Sequence, residues 1–263
     1  MNYIIKHAKS ASVAAGKLLP ATVRKALFHF AFACAPNEFE KYAFLYANAP
    51  SQENRLRWIA AKGFSPRVIL DVGAYRGDWS RMAKAIWPEA SIIMIEPNWE
   101  QSHQLAACTS ELGATLHQEL LGAEDGKEVQ FHVMATGSSV LAERSDVSRK
   151  TELRRLITLN SLLASGPPID FMKIDAQGYE LSILDGADRI LPNVRMVLLE
   201  TALIEVNEGG PILHEVLSSM NTRGFAAFDL LEMHRRPLDQ ALCQVDILFC
   251  RQDDPLRADK RFC

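Results

Sequence analysis

The sequence predicts an α/β protein, a doubly wound and mostly parallel sheet preceded by a helical extension. Three observations carry this expectation. From Arg67 onward, short apolar runs alternate with helical patterns, as in parallel strands joined by crossover helices. The first of these runs, Val68–Val72, ends in Asp71-x-Gly73-x-x-x-Gly77 and passes into a helical pattern at Asp78, so a buried strand turns sharply into a helix. Residues 1–62 carry helical patterns only, broken at Pro20, Pro36 and Pro50.

At 263 residues the chain is long enough for one large domain with an appendage, expected as a helical extension over 1–62, a catalytic domain over 63–251 and a tail over 252–263. With 48% hydrophobic residues, 23% charged residues and a net charge of −3, the composition gives no reason to expect a nucleic-acid partner. Five cysteines (Cys34, Cys108, Cys243, Cys250 and Cys263) form no C-x-x-C pair and read as reduced thiols of a cytoplasmic protein. The apolar stretch 11–19 is too short for a signal peptide and is interrupted by Lys17, and no run approaches the ~20 residues of a membrane span. Residues 1–34 hold five cations (Lys6, Lys9, Lys17, Arg24 and Lys25) and no acid. Together with the stripe Ile4, Ala8, Ala11, Ala15 and Leu18, they make this segment a candidate peripheral contact with an anionic membrane; the alternative is a helix packed on its own domain. Nothing in the sequence sets the oligomeric state.

Element by element, Ser51 is the expected cap of a helix running through Trp58 to Lys62, with Gly63 as its stop. Strands are expected at 67–72, 91–95, 114–118, 169–175 and 194–200, and helices at 78–87, 99–112, 177–191 and 211–223. Residues 128–134 read as an added hairpin arm, and 225–231 with 244–250 as a closing antiparallel pair.

The turn after the first strand suits a ligand. Its glycines leave room for a close approach to the backbone, and a helix N-terminus offers unpaired N–H groups. Glu96, about 20 residues on at the end of the second strand, is placed for two ribose hydroxyls. A dinucleotide would call for G-x-G-x-x-G, but here Ala74-Tyr75 fills the middle of the loop. Asp71 would repel phosphate yet could accept from an amino group. Adenosine, an amino acid and no phosphate describe S-adenosylmethionine; the plainer alternative is a strand–turn–helix with structural glycines. A second cluster ends the fourth strand. Asp175 there, with Glu200 at the next strand end, could hold a divalent cation, orient a hydroxyl or act as base. Lys173 shares a strand face with Asp175, and its expected ion partner is Glu180.

With these residues placed, the chain resembles the FkbM-type methyltransferases, a branch of the class I S-adenosylmethionine-dependent enzymes, over roughly 55–250. The resemblance is carried by Val68-Ile69-Leu70-Asp71-Val72-Gly73-Ala74-Tyr75-Arg76-Gly77, by Ile95-Glu96-Pro97 and by Gly137-Ser138-Ser139. Further on it is carried by Asp170-Phe171-Met172-Lys173-Ile174-Asp175-Ala176-Gln177-Gly178-Tyr179-Glu180, by Leu184-Asp185-Gly186-Ala187, by Leu199-Glu200 and by Gln244-Val245-Asp246-Ile247-Leu248-Phe249. The resemblance implies a Rossmann-like, seven-stranded sheet with a reversed last strand, and methyl transfer to oxygen, often on sugars or natural products. It implies that Asp71, Gly73, Ala74, Tyr75 and Gly77 cradle the donor, that Glu96 and Pro97 flank the ribose, and that Asp175 sits at the reaction centre. Ser138 and Ser139 fall near the donor by the same analogy, or else cap a turn. The chain departs from the family at Tyr75, usually Asn, and at Asn160, usually Asp.

Methyl transfer from a sulfonium needs an aligned acceptor and a proton acceptor, and Asp175 assisted by Glu200, with or without a divalent cation, is the expected pair. No two histidines have ligand spacing, although His234 could reach the acceptor side. The expected acceptor is a glycan or lipid-linked sugar, with a small-molecule natural product as the alternative; 119–165 and 201–212 are expected to line its pocket. Two rival classes share the fold: an NAD-dependent oxidoreductase, which would need the missing glycine pattern, and a non-catalytic scaffold, which could dispense with the loop glycines and carboxylates.

Overall fold

The computed structural model describes residues 20–37, 51–134 and 137–262. The chain divides into a unit up to Ala49 and a unit from Pro50 to Cys263. In the first unit, helix α1 (Ala21–Cys34) exposes Val23, Leu27 and Phe30, spaced along one helical face. The stripe from Ile4 to Leu18 lies outside the described residues.

The second unit is built on seven strands: β1 (Val68–Val72), β2 (Ser91–Ile95), β3 (Thr115–His117), β7 (Phe171–Ile174), β8 (Met196–Ala202), β9 (Phe225–Arg235) and β10 (Leu242–Arg251). Their order is β3-β2-β1-β7-β8-β10-β9, with β10 antiparallel to both neighbours and the other pairs parallel. Every residue of β1 and β7 is buried, which is why they read as continuous rather than alternating apolar runs. Alternate side chains feed two cores. Leu70, Met172, Ile174, Val197 and Ile247 pack on one face beneath α6 (Glu180–Asp185) and α7 (Leu213–Thr222). Ile69, Met94, Phe171, Leu198 and Leu248 pack on the other, beneath α2 (Gln52–Ala61), α3 (Asp78–Ile86) and α4 (Ser102–Leu112).

Several expectations shift. The boundary at 62–63 falls inside a packed unit, because Leu56 and Ile59 of α2 are buried in the second core. The expected tail is tied down by Asp254, whose carboxylate accepts from Arg195 at 2.6 Å and caps a 3-10 turn at Pro255–Arg257. Ser51 precedes α2 in an extended conformation but makes no side-chain cap bond. The helix expected over 177–191 shrinks to α6. It ends at Gly186, whose backbone presses on the Gly122 carbonyl so closely that a Cβ would lie 2.2 Å from that oxygen.

The hairpin arm proves to be a second sheet: β4 (Leu120–Leu121), β6 (Lys150–Ile157) and β5 (Glu128–Val133), in the order β4-β6-β5. A short helix, α5 (Leu159–Leu162), leads from it towards β7. Cys34, Cys108, Cys243 and Cys250 are free thiols. No described helix is long and apolar enough to cross a membrane.

Candidate active site

The turn after β1 is shaped by its own packing. Gly73 has φ +74°, and a Cβ there would lie 1.9 Å from the Asp175 carbonyl oxygen; one at Gly77 (φ +81°) would lie 2.3 Å from Cys108 Sγ. Protein neighbours alone therefore require both glycines. Tyr75 is held at φ +50° while its N–H donates to Glu96 Oε2 at 2.8 Å. The other oxygen of Glu96 accepts from Asn98 N–H at 2.8 Å. Burial pushes the Glu96 carboxyl up, against the pull of these two N–H groups and of Lys173.

Asp71 does not reach the crevice. It is fully buried, accepts from the Ser80 hydroxyl at 2.7 Å and lies 3.3 Å from Lys173 Nζ, its cross-strand partner on β7. Lys173 also lies 3.4 Å from Asp175 and donates to the Gly73 carbonyl at 3.1 Å. The partners of Lys173 are thus Asp71 and Asp175, not Glu180. Burial alone would lower this ammonium, but the two carboxylates prevail and hold it above its ordinary value. Glu180 turns inward instead and accepts from the Ala176 and Gly178 N–H groups at 2.9 and 3.0 Å, both on Oε1.

Asp175 and Glu200 do come together, joined by a residue that the sequence reading did not single out. The Gln177 amide donates to Asp175 Oδ1 at 2.9 Å and to Glu200 Oε2 at 2.7 Å, from a backbone held at φ +52°. The two carboxyls diverge in character. Burial works to raise Asp175, but the Lys173 ammonium and the Gln177 amide hold it below the carboxylate range. Burial and the negative charges of Asp175, Glu180 and Asp246 push Glu200 well up. The place expected for a divalent cation between these two groups is filled by protein donors. On the far side of Glu200, one oxygen or nitrogen from each of Glu200, His234 and Asp246 lies within 4.8 Å of the others.

A cavity of about 220 Å³ opens between these groups. Of the residues expected to bind a donor, Gly73, Tyr75, Glu96, Pro97, Ser138, Ser139 and Asp175 line it, whereas Asp71, Ala74 and Gly77 stand behind it as structural support. Glu200 is one side chain beyond it. The serine hydroxyls are engaged by protein: Ser138 donates to the Met134 carbonyl at 2.9 Å and Ser139 to the Gln177 carbonyl at 2.9 Å, so both cap turns that shape the wall. Asn98 and Tyr179 line it without having been anticipated, and Phe131 lies in the stretch 119–165 that was expected to line a pocket for the acceptor. Asn98 immediately follows the recognised Glu96-Pro97 and could have been found there. Asn160 contacts Asp188 and the Arg189 N–H, away from the cavity.

Three solved structures are similar in fold. A precorrin-6y C5,15-methyltransferase from Geobacter metallireducens GS-15 is 12% identical over 75% of this chain and 88% of its own, with a TM-score of 0.44. A methyltransferase FkbM from Methylobacillus flagellatus KT is 15% identical over 70% of this chain, with a TM-score of 0.43, and the match spans only 43% of its length. A magnesium protoporphyrin IX methyltransferase from Synechocystis PCC 6803, solved with bound S-adenosylmethionine, is 11% identical over 76% of this chain and 77% of its own, with a TM-score of 0.46. No curated protein matches the chain. The methyltransferase FkbM domain matches residues 71–227, from Asp71 through the start of β9 and across every strand end that builds the cavity. With more than half of its length in that match, the chain belongs to the FkbM methyltransferase family and is an S-adenosylmethionine-dependent methyltransferase.

Proposed function

We propose that the enzyme moves the methyl group of S-adenosylmethionine to a hydroxyl oxygen of a glycan or lipid-linked sugar. The observation that carries this reading is the cavity with Glu96 at one wall, Asp175 at another and a hydrogen-bonded polar group just beyond. Each Glu96 oxygen accepts one backbone N–H and keeps lone pairs for ribose hydroxyls. Leu120, Leu121, Phe131, Val140 and Ile183 give an apolar end for adenine. Asp175, kept ionised by Lys173, accepts from the donor's amino group and aligns its methyl. A carboxylate so stabilised is a weak proton acceptor, so its role is orientation rather than the general-base role expected from sequence. The reading places no divalent cation between Asp175 and Glu200, since Gln177 and Lys173 already serve them.

We further place the enzyme at the cytoplasmic face of a membrane, with the basic segment 1–34 and the exposed Val23, Leu27 and Phe30 on an anionic surface. The free thiols suit a reducing compartment.

Calorimetric titration is expected to show binding of S-adenosylhomocysteine and none of NAD. Incubating the enzyme with radiolabelled donor and cell-derived glycan and lipid-linked glycan fractions is expected to place label in alkali-stable methyl ethers. Label confined to nitrogen, to carbon or to small molecules would overturn the acceptor assignment.

A further inference from the structure

We propose that His234, held by Asp246 and Gln52, takes the proton of the acceptor hydroxyl during methyl transfer; this rests on the oxygen-acceptor reading above. Strands β7, β8 and β9 run in the same direction, so Asp175, Glu200 and His234 all fall at one edge of the sheet, and β10 begins there with Asp246 paired to Glu200 across the strands. His234 Nε2 lies 3.4 Å from Asp246 Oδ2. Asp246 is 5% exposed, and the same Oδ2 also accepts from the Gln52 amide, whose oxygen accepts from the Trp79 indole at 2.7 Å. The imidazole is 38% exposed and so is open to an incoming molecule. Glu200, with an oxygen within 4.8 Å of the His234–Asp246 pair, shares the Gln177 amide with Asp175 in the cavity wall.

The carboxyls nearer the donor are poorly suited to this task. Asp175 is neutralised by Lys173, and Glu200, buried among acids, favours its protonated form. The imidazole has no such handicap. With Nε2–H donating to Asp246, Nδ1 presents a lone pair. As the acceptor oxygen forms its bond to the methyl carbon, the carbon–sulfur bond breaks and its electron pair stays on sulfur. The hydroxyl proton passes to Nδ1, and the resulting imidazolium faces the Asp246 carboxylate until water removes the proton. This is the division of labour of a base held by a buried carboxylate.

The charged groups around the ring are Asp246 from β10, Glu232 on β9, Glu200 from β8 and Asp175 after β7. The bond to Asp246 and the charges of Asp246, Glu232 and Asp175 hold the imidazole above its ordinary value, against desolvation. Transfer should therefore climb with pH through a group titrating above the usual histidine range.

The test compares wild type, His234→Gln and Asp246→Asn, using the labelled glycan fraction of the assay above and the holoprotein. His234→Gln is expected to lose about 100-fold or more in transfer rate and its rising pH limb, with S-adenosylhomocysteine affinity and melting temperature unchanged. Asp246→Asn should move that limb to lower pH, and the His234 resonance in the NMR titration should move with it; this holds even if turnover is low. His234→Gln transferring within tenfold of wild type on the same pH profile would overturn the proposal. So would transfer abolished by a chelator and restored by magnesium or manganese alone, which would assign the proton loss to a cation. No transfer by wild type at all would instead overturn the oxygen-acceptor reading on which the proposal rests.

Discussion

Glu180 is almost wholly withdrawn from water and faces two backbone N–H groups but no cation. Burial lifts its carboxyl to about 7 from an ordinary 4.5, against those N–H groups. Between these values the folded protein keeps a proton that the unfolded chain releases, so stability falls as pH rises through that interval and stays reduced above it. The cost is on the order of 3 kcal/mol. Since both N–H groups bond to the same oxygen, Glu180→Gln retains the acceptor and removes the charge. Calorimetric scans are expected to show the variant melting several degrees above wild type at pH 8, with the difference largely gone at pH 5. At this scale the sequence placed Glu96 and Asp175 correctly in the cavity wall but misassigned Lys173 and Asp71. Strand periodicity says which face a side chain takes; it does not say which neighbouring strand supplies the opposite charge. Gln177 shows the same limit. Its amide bridges two carboxyls only because β7 and β8 lie side by side and the backbone turns through a left-handed conformation.

The element least legible in advance, β6, pairs with the two strands, β4 and β5, whose Leu120, Leu121 and Phe131 line the apolar end of the cavity. Its sequence, Lys-Thr-Glu-Leu-Arg-Arg-Leu-Ile, has four charges in eight residues and reads as surface, yet it lies between β4 and β5 and carries the buried Leu156. Of the resulting small core of Leu120, Phe131, Val133 and Leu156, Leu120 and Phe131 line the cavity. Phe131→Ala is expected to cost about 3–5 kcal/mol in urea unfolding and to weaken S-adenosylhomocysteine binding at least tenfold by calorimetry. Unchanged affinity would show that the apolar end does not hold the adenine. By contrast, β1, β2 and β7 were legible almost to the residue. A strand buried on both faces is apolar except where a charge finds a buried partner, as Asp71 of β1 finds Lys173 of β7.

At the scale of the molecule, the unit beginning at Pro50 contains both cores, the second sheet and every residue of the site, while α1 belongs to the preceding unit. A chain of residues 50–263 is expected to melt at the same temperature as the full chain and to bind S-adenosylhomocysteine equally well. It should lose sedimentation with anionic vesicles that the full chain retains. Equal sedimentation of both would dispose of the membrane assignment. A chain starting at residue 63 should fail to fold, because it lacks Leu56 and Ile59 from the second core.

Taken alone, the sequence determined the mostly parallel α/β architecture and the carboxylate that lines the cavity at the end of β2, and its family resemblance implied the reversed last strand. These follow from local patterns, since burial on two faces and a tight strand-to-helix turn restrict residue types within a few positions of one another. Only the tertiary structure decided that Lys173 sits between Asp71 and Asp175, that Gln177 joins Asp175 to Glu200, and that His234 meets Asp246. Each of those contacts joins different strands, and the interaction of two charges depends on a distance that no single stretch of chain contains.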